Sequence, residues 1–320
     1  MTSAAPPMSN EAILFATPRL SIAFVARATA SLIAFVAVLM VTVPPAAAQQ
    51  ITYAFSAEAG GQRSFFLSLP KDMQPGTTPA LVMVFAGTDT TGADMQAFFG
   101  ASWTDAGGME AAFLDAIFVY PDPKWRDFPG WGGRYGGWLL GPHAGPGTGM
   151  QDLRFVAELL DWLGTTYAVD PDRVFATGHS WGGDMAAVAG CFLGDRFTAI
   201  APIAANRPFW FDANGPADCK GHPAVWTVFG TADEHYAGQQ AFAGDFGRQQ
   251  DAFWARRHGC GSVTLMLNLP LTGESTTHQG CIQPVRLTLY DPAFSGTTDQ
   301  PGHQPPDRAI PLIARWFADF

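Results

Sequence analysis

The stretch Val174–Cys191, VFATGHSWGGDMAAVAGC, holds a serine between glycines in a pattern suited to nucleophilic catalysis. Ser180 is the centre of Gly-His-Ser-Trp-Gly, with a short apolar run before it and an alanine-rich segment after it. This order predicts a strand, a tight turn and a helix, and the flanking glycines leave room for the two segments to pass each other. The hydroxyl of Ser180 would then project from the C-terminal end of a sheet.

The predicted helix after Ser180 has a second chemical use. Its unpaired N-terminal N–H groups would point to the space where a substrate oxyanion forms, and the backbone N–H of Trp181 is one such donor. A second donor is expected from the loop AGTDTTG, which follows a predicted strand, with Thr88 as the candidate. The two N–H groups together would form an oxyanion hole.

A serine needs a histidine to take its proton and an acid to orient that histidine. In folds that carry this motif the chain order is serine, then the acid, then histidine. Asp233 lies in VFGTADEHY, directly after a predicted central strand, where a loop would carry it toward Ser180. Asp233 is therefore the candidate acid, and Glu234 is the nearest rival.

Four histidines follow the candidate acid in the chain. His303, in PGHQPP, lies just before the last predicted helix, which is the place expected for the general base. His235 is too close in sequence to Asp233, His258 lies at an apparent helix end, and His278 falls in a polar Ser/Thr loop. His303 is the predicted base.

Strand and helix patterns alternate along most of the chain. The strand-like runs are Ile51–Ser56, Ser64–Leu69, Ala80–Ala86, Ala116–Tyr120, Val174–Thr177, Thr198–Ala204, Ala224–Phe229 and Val285–Tyr290. Helical spacing occurs over Asp152–Tyr167, from about Gly183, and over Asp307–Phe320. The alternation predicts an α/β fold with a mostly parallel sheet and helices on both faces, and the strand order stays open.

The first 48 residues have the pattern of a signal peptide. Arg19 and Arg27 precede the uncharged apolar run Ala28–Val43, and small residues ending at Ala48 suit cleavage there. We therefore expect a leader over residues 1–48, a secreted or periplasmic protein, and one catalytic domain over residues 49–320. An uncleaved membrane anchor is the alternative.

The composition excludes several classes of partner. The 320 residues carry a formal net charge of −10 and no basic run, so phosphate backbones and anionic lipid surfaces would be repelled. An uncharged or weakly charged substrate is therefore expected. The proposed chemistry calls for no cofactor, no metal and no stable protein partner.

The four cysteines are Cys191, Cys219, Cys260 and Cys281. An even number in an exported chain predicts two disulfides, with three pairings possible. Zinc is excluded because no two cysteines have the short spacing of a zinc site and no paired histidines accompany them.

The segment Pro129–Gly149, PGWGGRYGGWLLGPHAGPGTG, is rich in glycine, and its sequence predicts no regular structure. It carries Trp131, Tyr135 and Trp138. Long glycine-rich loops with aromatic residues often line binding sites, so these rings are candidate substrate contacts for a sugar or a phenolic acyl group. The alternative is that they only attach the loop to the core.

With these residues in place, the chain resembles the extracellular esterases related to feruloyl esterases and polyhydroxybutyrate depolymerases, a branch of the α/β-hydrolases. The shared stretches are FVYPD at Phe118–Asp122, VDPDRVFATGHSWGG at Val169–Gly183, GDRFTAIAPIA at Gly194–Ala204, GTAD at Gly230–Asp233 and GHQPP at Gly302–Pro306. Two departures are Ala86-Gly87, where the family often has His-Gly, and Phe229-Gly230-Thr231, where it often has His-Gly-Thr.

The resemblance implies an α/β-hydrolase fold and a serine esterase acting through an acyl-enzyme with Ser180, Asp233 and His303. It also implies that Cys191 pairs with Cys219 and Cys260 with Cys281. The expected substrates are feruloyl or acetyl esters of plant polysaccharide. A polyhydroxybutyrate depolymerase and an inactive α/β-hydrolase that serves as a binding protein are the alternatives.

Overall fold

The computed structural model describes residues 48–101, 107–128, 132–140, 150–208, 219–233, 245–266, 273–291 and 302–320, all within one compact unit. The strands are β1 Gln49–Ala54, β2 Gln62–Ser68, β3 Ala80–Phe85, β4 Ala116–Pro121, β5 Lys124–Phe128, β6 Gly133–Gly137, β7 Val174–His179, β8 Ala199–Ile203, β9 Ala224–Gly230, β10 Val263–Met266, β11 Gly273–His278 and β12 Val285–Tyr290. The helices are α1 Gly92–Met95, α2 Met109–Ala112, α3 Gln151–Tyr167, α4 Trp181–Phe192, α5 Phe246–Arg257 and α6 Ala309–Ala318, and the π-helical segment Gln96–Ala101 follows α1.

Ten strands form one sheet in the order β1-β2-β4-β3-β7-β8-β9-β12-β11-β10. The six strands from β4 to β12 are mutually parallel, and the outer strands β1, β2, β10 and β11 join through antiparallel pairs. Strand β7 therefore lies near the centre, and its C-terminal end meets those of β3, β8 and β9. Loops that follow these strands converge on one edge of the sheet.

The sheet is buried on both faces because alternate residues of its central strands enter two separate apolar layers. In β3, Leu81 and Met83 pack into one layer, and Val82 and Val84 pack into the other. Helices α3 and α4 contribute to the first layer and α6 to the second. This arrangement confirms the predicted α/β-hydrolase fold, with a mostly parallel sheet between helices.

The sequence patterns missed some elements. A short antiparallel hairpin, β5 with β6, enters the glycine-rich segment where no regular structure was expected. Its residues Gly133–Gly137 alternate too weakly in hydropathy to be recognised as a strand, and the pairing with β5 stabilises them. The stretch Gly261–Asp299, largely unassigned from sequence, contributes β10 and β11 to the sheet edge.

The predicted leader, residues 1–48, lies outside the described residues except for Ala48. Within the described part of the chain, none of the helices combines the length and the apolar character needed to cross a bilayer.

Candidate active site

Ser180 lies in the turn between β7 and α4. Its backbone has φ 57° and ψ −126°, a conformation that is strained for a residue with a side chain. Its amide donates a hydrogen bond to the carbonyl oxygen of Ile203 at 3.0 Å, which ties the turn to the end of β8. Ser180 is half-buried, and it follows the C-terminal residue of a central parallel strand.

The glycines around Ser180 are required by close backbone contacts. A Cβ atom on Gly182 would clash with the carbonyl oxygen of Phe85 in the neighbouring strand β3. A Cβ on Gly178 would lie 2.5 Å from the carbonyl group of Gly182. The motif therefore lets the start of α4 pack directly against the end of β3.

The candidate acid and base meet at the same edge of the sheet. The Nδ1 atom of His303 lies 2.7 Å from Oδ2 of Asp233. The Asp233 side chain is fully buried, while that of His303 is 18% exposed. In the neutral ring, this contact places the proton on Nδ1, which is the tautomer in which Nε2 can accept a proton.

The loop of His303 is held close to that of Asp233. Gly302 has φ 85°, and a Cβ there would lie 2.5 Å from the amide nitrogen of Asp233. A Cβ on Gly230 would in turn clash with the carbonyl oxygen of Gly302. Glycine at both positions brings the two loops into backbone contact.

Two side chains that sequence reasoning did not select also contact this loop. The Nε2 atom of His179 lies 2.7 Å from the carbonyl oxygen of His303, and the two imidazole centroids are 4.7 Å apart. The hydroxyl of Tyr290 lies 2.8 Å from the carbonyl oxygen of Gly302 and 3.2 Å from that of His303. His179 precedes Ser180 in the motif, and Tyr290 is the last residue of β12. These two positions, at the C-terminal ends of strands, are the sequence features that could have identified them.

Burial determines the protonation of both side chains. It lowers the pKa of His179 to about 3, and the neighbouring His303 lowers it further. Burial also raises the pKa of Tyr290 well above its usual value, with a smaller effect from Asp233. Near neutral pH, His179 is thus uncharged and Tyr290 keeps its hydroxyl proton.

The predicted oxyanion loop lies beside Ser180. A Cβ atom on Gly87 would be 3.7 Å from Cβ of Ser180, and the hydroxyl of Thr90 donates to the carbonyl oxygen of Gly87 at 3.1 Å. Thr88 is half-buried within this loop. Trp181 is the first residue of α4, so its amide lies in the N-terminal turn of that helix.

The β5–β6 hairpin supports the oxyanion loop. The amide of Gly136 donates to Oδ1 of Asp89 at 2.8 Å, and the amide of Asp89 donates to the carbonyl oxygen of Gly136 at 2.9 Å. The indole N–H of Trp138 donates to the carbonyl oxygen of Ala86 at 2.8 Å. Three hydrogen bonds therefore connect the hairpin region to residues on either side of Gly87.

The three aromatic residues proposed to contact substrate have different positions. Trp131 lies outside the described residues, and Tyr135 is half-buried on β6. Trp138 is fully buried and packs edge to face against Phe85, with 5.5 Å between the ring centroids. The assignment of Trp138 must be corrected: its ring offers no surface to a substrate, and its indole instead holds Ala86.

A buried ionic cluster anchors the hairpin. Asp152, at the start of α3, contacts Arg63 at 2.7 Å and Arg126 of β5 at 2.9 Å, and it accepts from the amide of Leu139 at 2.7 Å. Burial acts to raise the pKa of Asp152, but Arg63 and Arg126 outweigh it, so the pKa is lowered. The carboxylate stays charged and joins β2, β5 and the segment after β6.

The rival residues lie elsewhere or outside the described ranges. Glu234 and His235 fall outside the described residues. His278 contacts Asp251 at 2.9 Å, and it is the last residue of β11 rather than part of a loop. It pairs with Val263 of β10, and its neighbour Thr277 pairs with Arg286 near the start of β12, far from Tyr290 at the other end of that strand. His258 is fully buried near the ring of His222. The structure thus brings only His303, among the described rivals, to Asp233.

The cysteines form the two predicted pairs. Cys191 is bonded to Cys219 with 4.5 Å between the Cα atoms, and Cys260 is bonded to Cys281 with 4.1 Å. The first bond joins the end of α4 to the segment before β9. The second joins the segment after α5 to the segment before β12. The pairing implied by the family resemblance is confirmed.

The sequence is similar to a known protein family and to two feruloyl esterases. The profile of the Esterase family, described as "Putative esterase", matches residues 56–259. The chain is 37% identical to "Feruloyl esterase B" of Piromyces equi over 67 residues, which are 21% of this chain and 12% of that protein. It is 26% identical to "Probable feruloyl esterase C" of Aspergillus clavatus over 149 residues, 45% of this chain and 49% of that one. The chain thus spans at most about half the length of these relatives.

The solved structure of an acetyl xylan esterase from Aspergillus awamori superposes with a TM-score of 0.62 at 15% identity, covering 85% of this chain and 99% of that one. This similarity supports the fold. The family match covers more than half of the chain. The protein with this strand-turn-helix serine and adjoining histidine–aspartate pair therefore belongs to the Esterase family and has an α/β-hydrolase fold.

Proposed function

We propose that this chain is a serine esterase in which Ser180 forms an acyl-enzyme, His303 is the general base and Asp233 orients His303. The observation that carries the proposal is the 2.7 Å contact between His303 Nδ1 and a fully buried Asp233. A buried carboxylate that accepts from Nδ1–H holds the ring in the tautomer a base requires. The strained turn at Ser180 supports the same assignment.

The proposed reaction has two halves. Ser180 Oγ bonds to the ester carbonyl carbon while its proton passes to His303 Nε2, and the proton then goes to the departing alcohol oxygen as the carbon–oxygen bond breaks. Water next attacks the acyl-enzyme, gives a proton to His303 and releases the carboxylic acid, after which Ser180 regains its proton. The backbone N–H groups of Trp181 and Thr88 are the proposed oxyanion donors.

Replacement of single residues tests these roles. Ser180→Ala is expected to lower kcat on a p-nitrophenyl acyl ester by at least a thousandfold with little change in Tm, because loss of a catalytic residue costs several orders of magnitude. His303→Gln should have a comparable effect. His278→Gln is the matched control, since it removes a histidine that also contacts an aspartate, and it should retain activity within about tenfold of the parent.

The outcomes separate the alternatives. A folded Ser180→Ala variant with more than about a hundredth of the parent rate contradicts the assignment. Loss of activity in His278→Gln with retention in His303→Gln would transfer the base role to His278. A parent protein that turns over no ester in this assay would favour the inactive binding protein.

For the substrate, we propose feruloyl or acetyl esters of plant polysaccharide. The two feruloyl esterase relatives support this choice over the matched segments. Tyr135, half-buried on the hairpin beside the oxyanion loop, is the described aromatic candidate for contact with a phenolic or sugar ring, and Trp131 is proposed for the same role. A polyhydroxybutyrate depolymerase is the second candidate, from the family resemblance.

A direct comparison of rates tests the substrate class. Methyl ferulate or acetylated xylan is expected to give a higher kcat/KM than a hydroxybutyrate oligomer, measured side by side with the same preparation. A preference for the hydroxybutyrate oligomer would instead support the polyester depolymerase.

We further propose that the protein is exported by a signal peptide cleaved near Ala48 and acts in the periplasm or outside the cell. Its two disulfides suit an oxidising compartment. N-terminal sequencing of the protein recovered from the periplasm and the medium tests this, and a start at Gln49 is expected.

A further inference from the structure

The main-chain carbonyl of His303 is held from two directions. His179 extends from the end of β7, and Tyr290 extends from the end of β12. These strands are separated by β8 and β9, so three strand spacings, about 14 Å, lie between them. Two long side chains from distant strands thus converge on the backbone of one residue.

Each of the two side chains acts as a hydrogen-bond donor. A carbonyl oxygen only accepts, so the 2.7 Å contact requires a proton on Nε2 of His179. The single hydroxyl proton of Tyr290 is shared between the carbonyl oxygens of Gly302 and His303, at 2.8 and 3.2 Å. Neutral His179 carries one ring proton, which the contact with the carbonyl oxygen of His303 places on Nε2, and burial keeps the Tyr290 hydroxyl protonated near neutral pH.

We propose that His179 and Tyr290 are positioning residues that fix the backbone of His303, so that its ring is held in line with Ser180. This inference rests on the proposed serine-esterase function. Asp233 contacts the ring of His303 at Nδ1, whereas His179 and Tyr290 contact its main-chain carbonyl oxygen. The contacts at the carbonyl oxygen therefore fix the backbone from which the ring extends.

The expected size of the effect follows from the geometry of proton transfer. A displacement of about 1 Å at a reacting group can cost about a hundredfold in rate. The ring of His179 also packs directly against the ring of His303. Loss of one donor should therefore reduce kcat without weakening substrate binding, because neither residue is proposed to contact the substrate.

A matched pair of substitutions at His179 separates the hydrogen bond from simple packing. His179→Leu and His179→Gln both remove the ring, but only glutamine has an N–H that reaches about as far as Nε2. The leucine variant is expected to lose tenfold to a hundredfold in kcat on a p-nitrophenyl ester, with KM within twofold. The glutamine variant should recover most of that loss, whereas equal losses in the two would overturn the role of the hydrogen bond.

Tyr290→Phe tests the second donor while keeping the aromatic ring. We expect a threefold to tenfold fall in kcat with KM within twofold. Tyr290→Phe combined with His179→Leu should lose more than the product of the two single effects, because the carbonyl oxygen of His303 then has neither donor. An unchanged kcat in Tyr290→Phe, or a strictly multiplicative double variant, contradicts the shared positioning role.

The failure of this inference is distinguishable from failure of the proposed function. Full activity of folded Ser180→Ala would contradict the serine mechanism itself. Loss of activity in Ser180→Ala combined with parental kcat in His179→Leu would leave that mechanism in place and reject only the positioning role. If His179→Leu does not fold, the Tyr290→Phe result decides the proposal.

Discussion

The turn at Ser180 requires glycine at position 182, because backbone atoms of the neighbouring strand leave no space for a side chain there. Gly182 faces the carbonyl oxygen of Phe85, and Phe85 immediately precedes Ala86 and the oxyanion loop. Any side chain at position 182 would displace the backbone at the end of β3, because the atoms nearest to the added Cβ belong to that backbone and not to a flexible side chain. The same packing that stabilises the turn therefore sets the position of the oxyanion loop relative to Ser180.

Gly182→Ala is accordingly expected to lower the free energy of unfolding by about 3 kcal/mol or more and to reduce activity, because a Cβ forces β3 and α4 apart. Gly164→Ala is the matched control. Gly164 is exposed on α3 with no atom within 4 Å of the added Cβ, so alanine should stabilise the protein by about 0.5–1 kcal/mol. Urea unfolding of both variants measures the difference, and a stable, active Gly182→Ala would refute the packing argument.

At the scale of elements, the β5–β6 hairpin connects a buried ionic cluster to the oxyanion loop. Asp152 and its two arginines hold one side of the hairpin region, and Asp89 is paired with Gly136 on the other. Asp89 has φ 56°, a conformation that asparagine and aspartate tolerate better than most residues. The geometry of the loop thus depends on an element that follows it in the chain by about 40 residues.

Asp89→Ala is expected to lower kcat about tenfold, because the loop loses its bond to Gly136, while complete loss of an oxyanion donor costs more. Asp89→Asn keeps an acceptor oxygen and suits the positive φ, so it should stay within about threefold of the parent. Asp127→Ala, at an exposed position on the same hairpin, serves as the control and should be near parental. Steady-state kinetics on one ester measure kcat for the four proteins. Equal kcat values for Asp89→Ala and the parent would contradict the proposal that the contact with Gly136 fixes the oxyanion loop.

At the scale of the whole molecule, two buried histidines make stability depend on pH. Burial, aided by the neighbouring His222, lowers the pKa of His258 to about 4, and burial lowers that of His179 to about 3. Unfolding returns both pKa values to about 6.5. Between pH 6.5 and 4 the unfolded chain thus binds protons that the folded protein does not, and stability must fall as the pH falls through this window.

The free energy of unfolding is expected to decrease by up to about 1.4 kcal/mol per pH unit for each such histidine. His258→Phe removes one titrating group, and its new ring would lie near that of Trp254. The free energy of unfolding of this variant, measured by urea unfolding at intervals from pH 7 to pH 5, should change less steeply with pH than that of the parent. The difference between the two slopes should approach that expected for the binding of one proton. An unchanged slope would contradict the contribution of His258.

Local sequence patterns are sufficient to predict the most regular elements and the residues proposed for chemistry. Strand β3 follows from a continuous apolar run, helix α3 from helical spacing, and the serine turn from its glycines. The order of Ser180, Asp233 and His303 along the chain was also sufficient to select an acid and a base, which the structure brings within 2.7 Å of each other. These strands, helices and turns depend on residues that are close in sequence, so periodicity and motif spacing are sufficient to predict them.

The contacts made across the sheet depend instead on how the strands pack in three dimensions. His179 and Tyr290 are 111 positions apart and reach one carbonyl oxygen because β7 and β12 run parallel and end at the same edge. The burial of Trp138 and the pairing of β6 with β5 depend equally on distant segments. The physical reason is that burial and hydrogen-bond pairing between remote residues arise from the packing of whole layers, which no local pattern encodes.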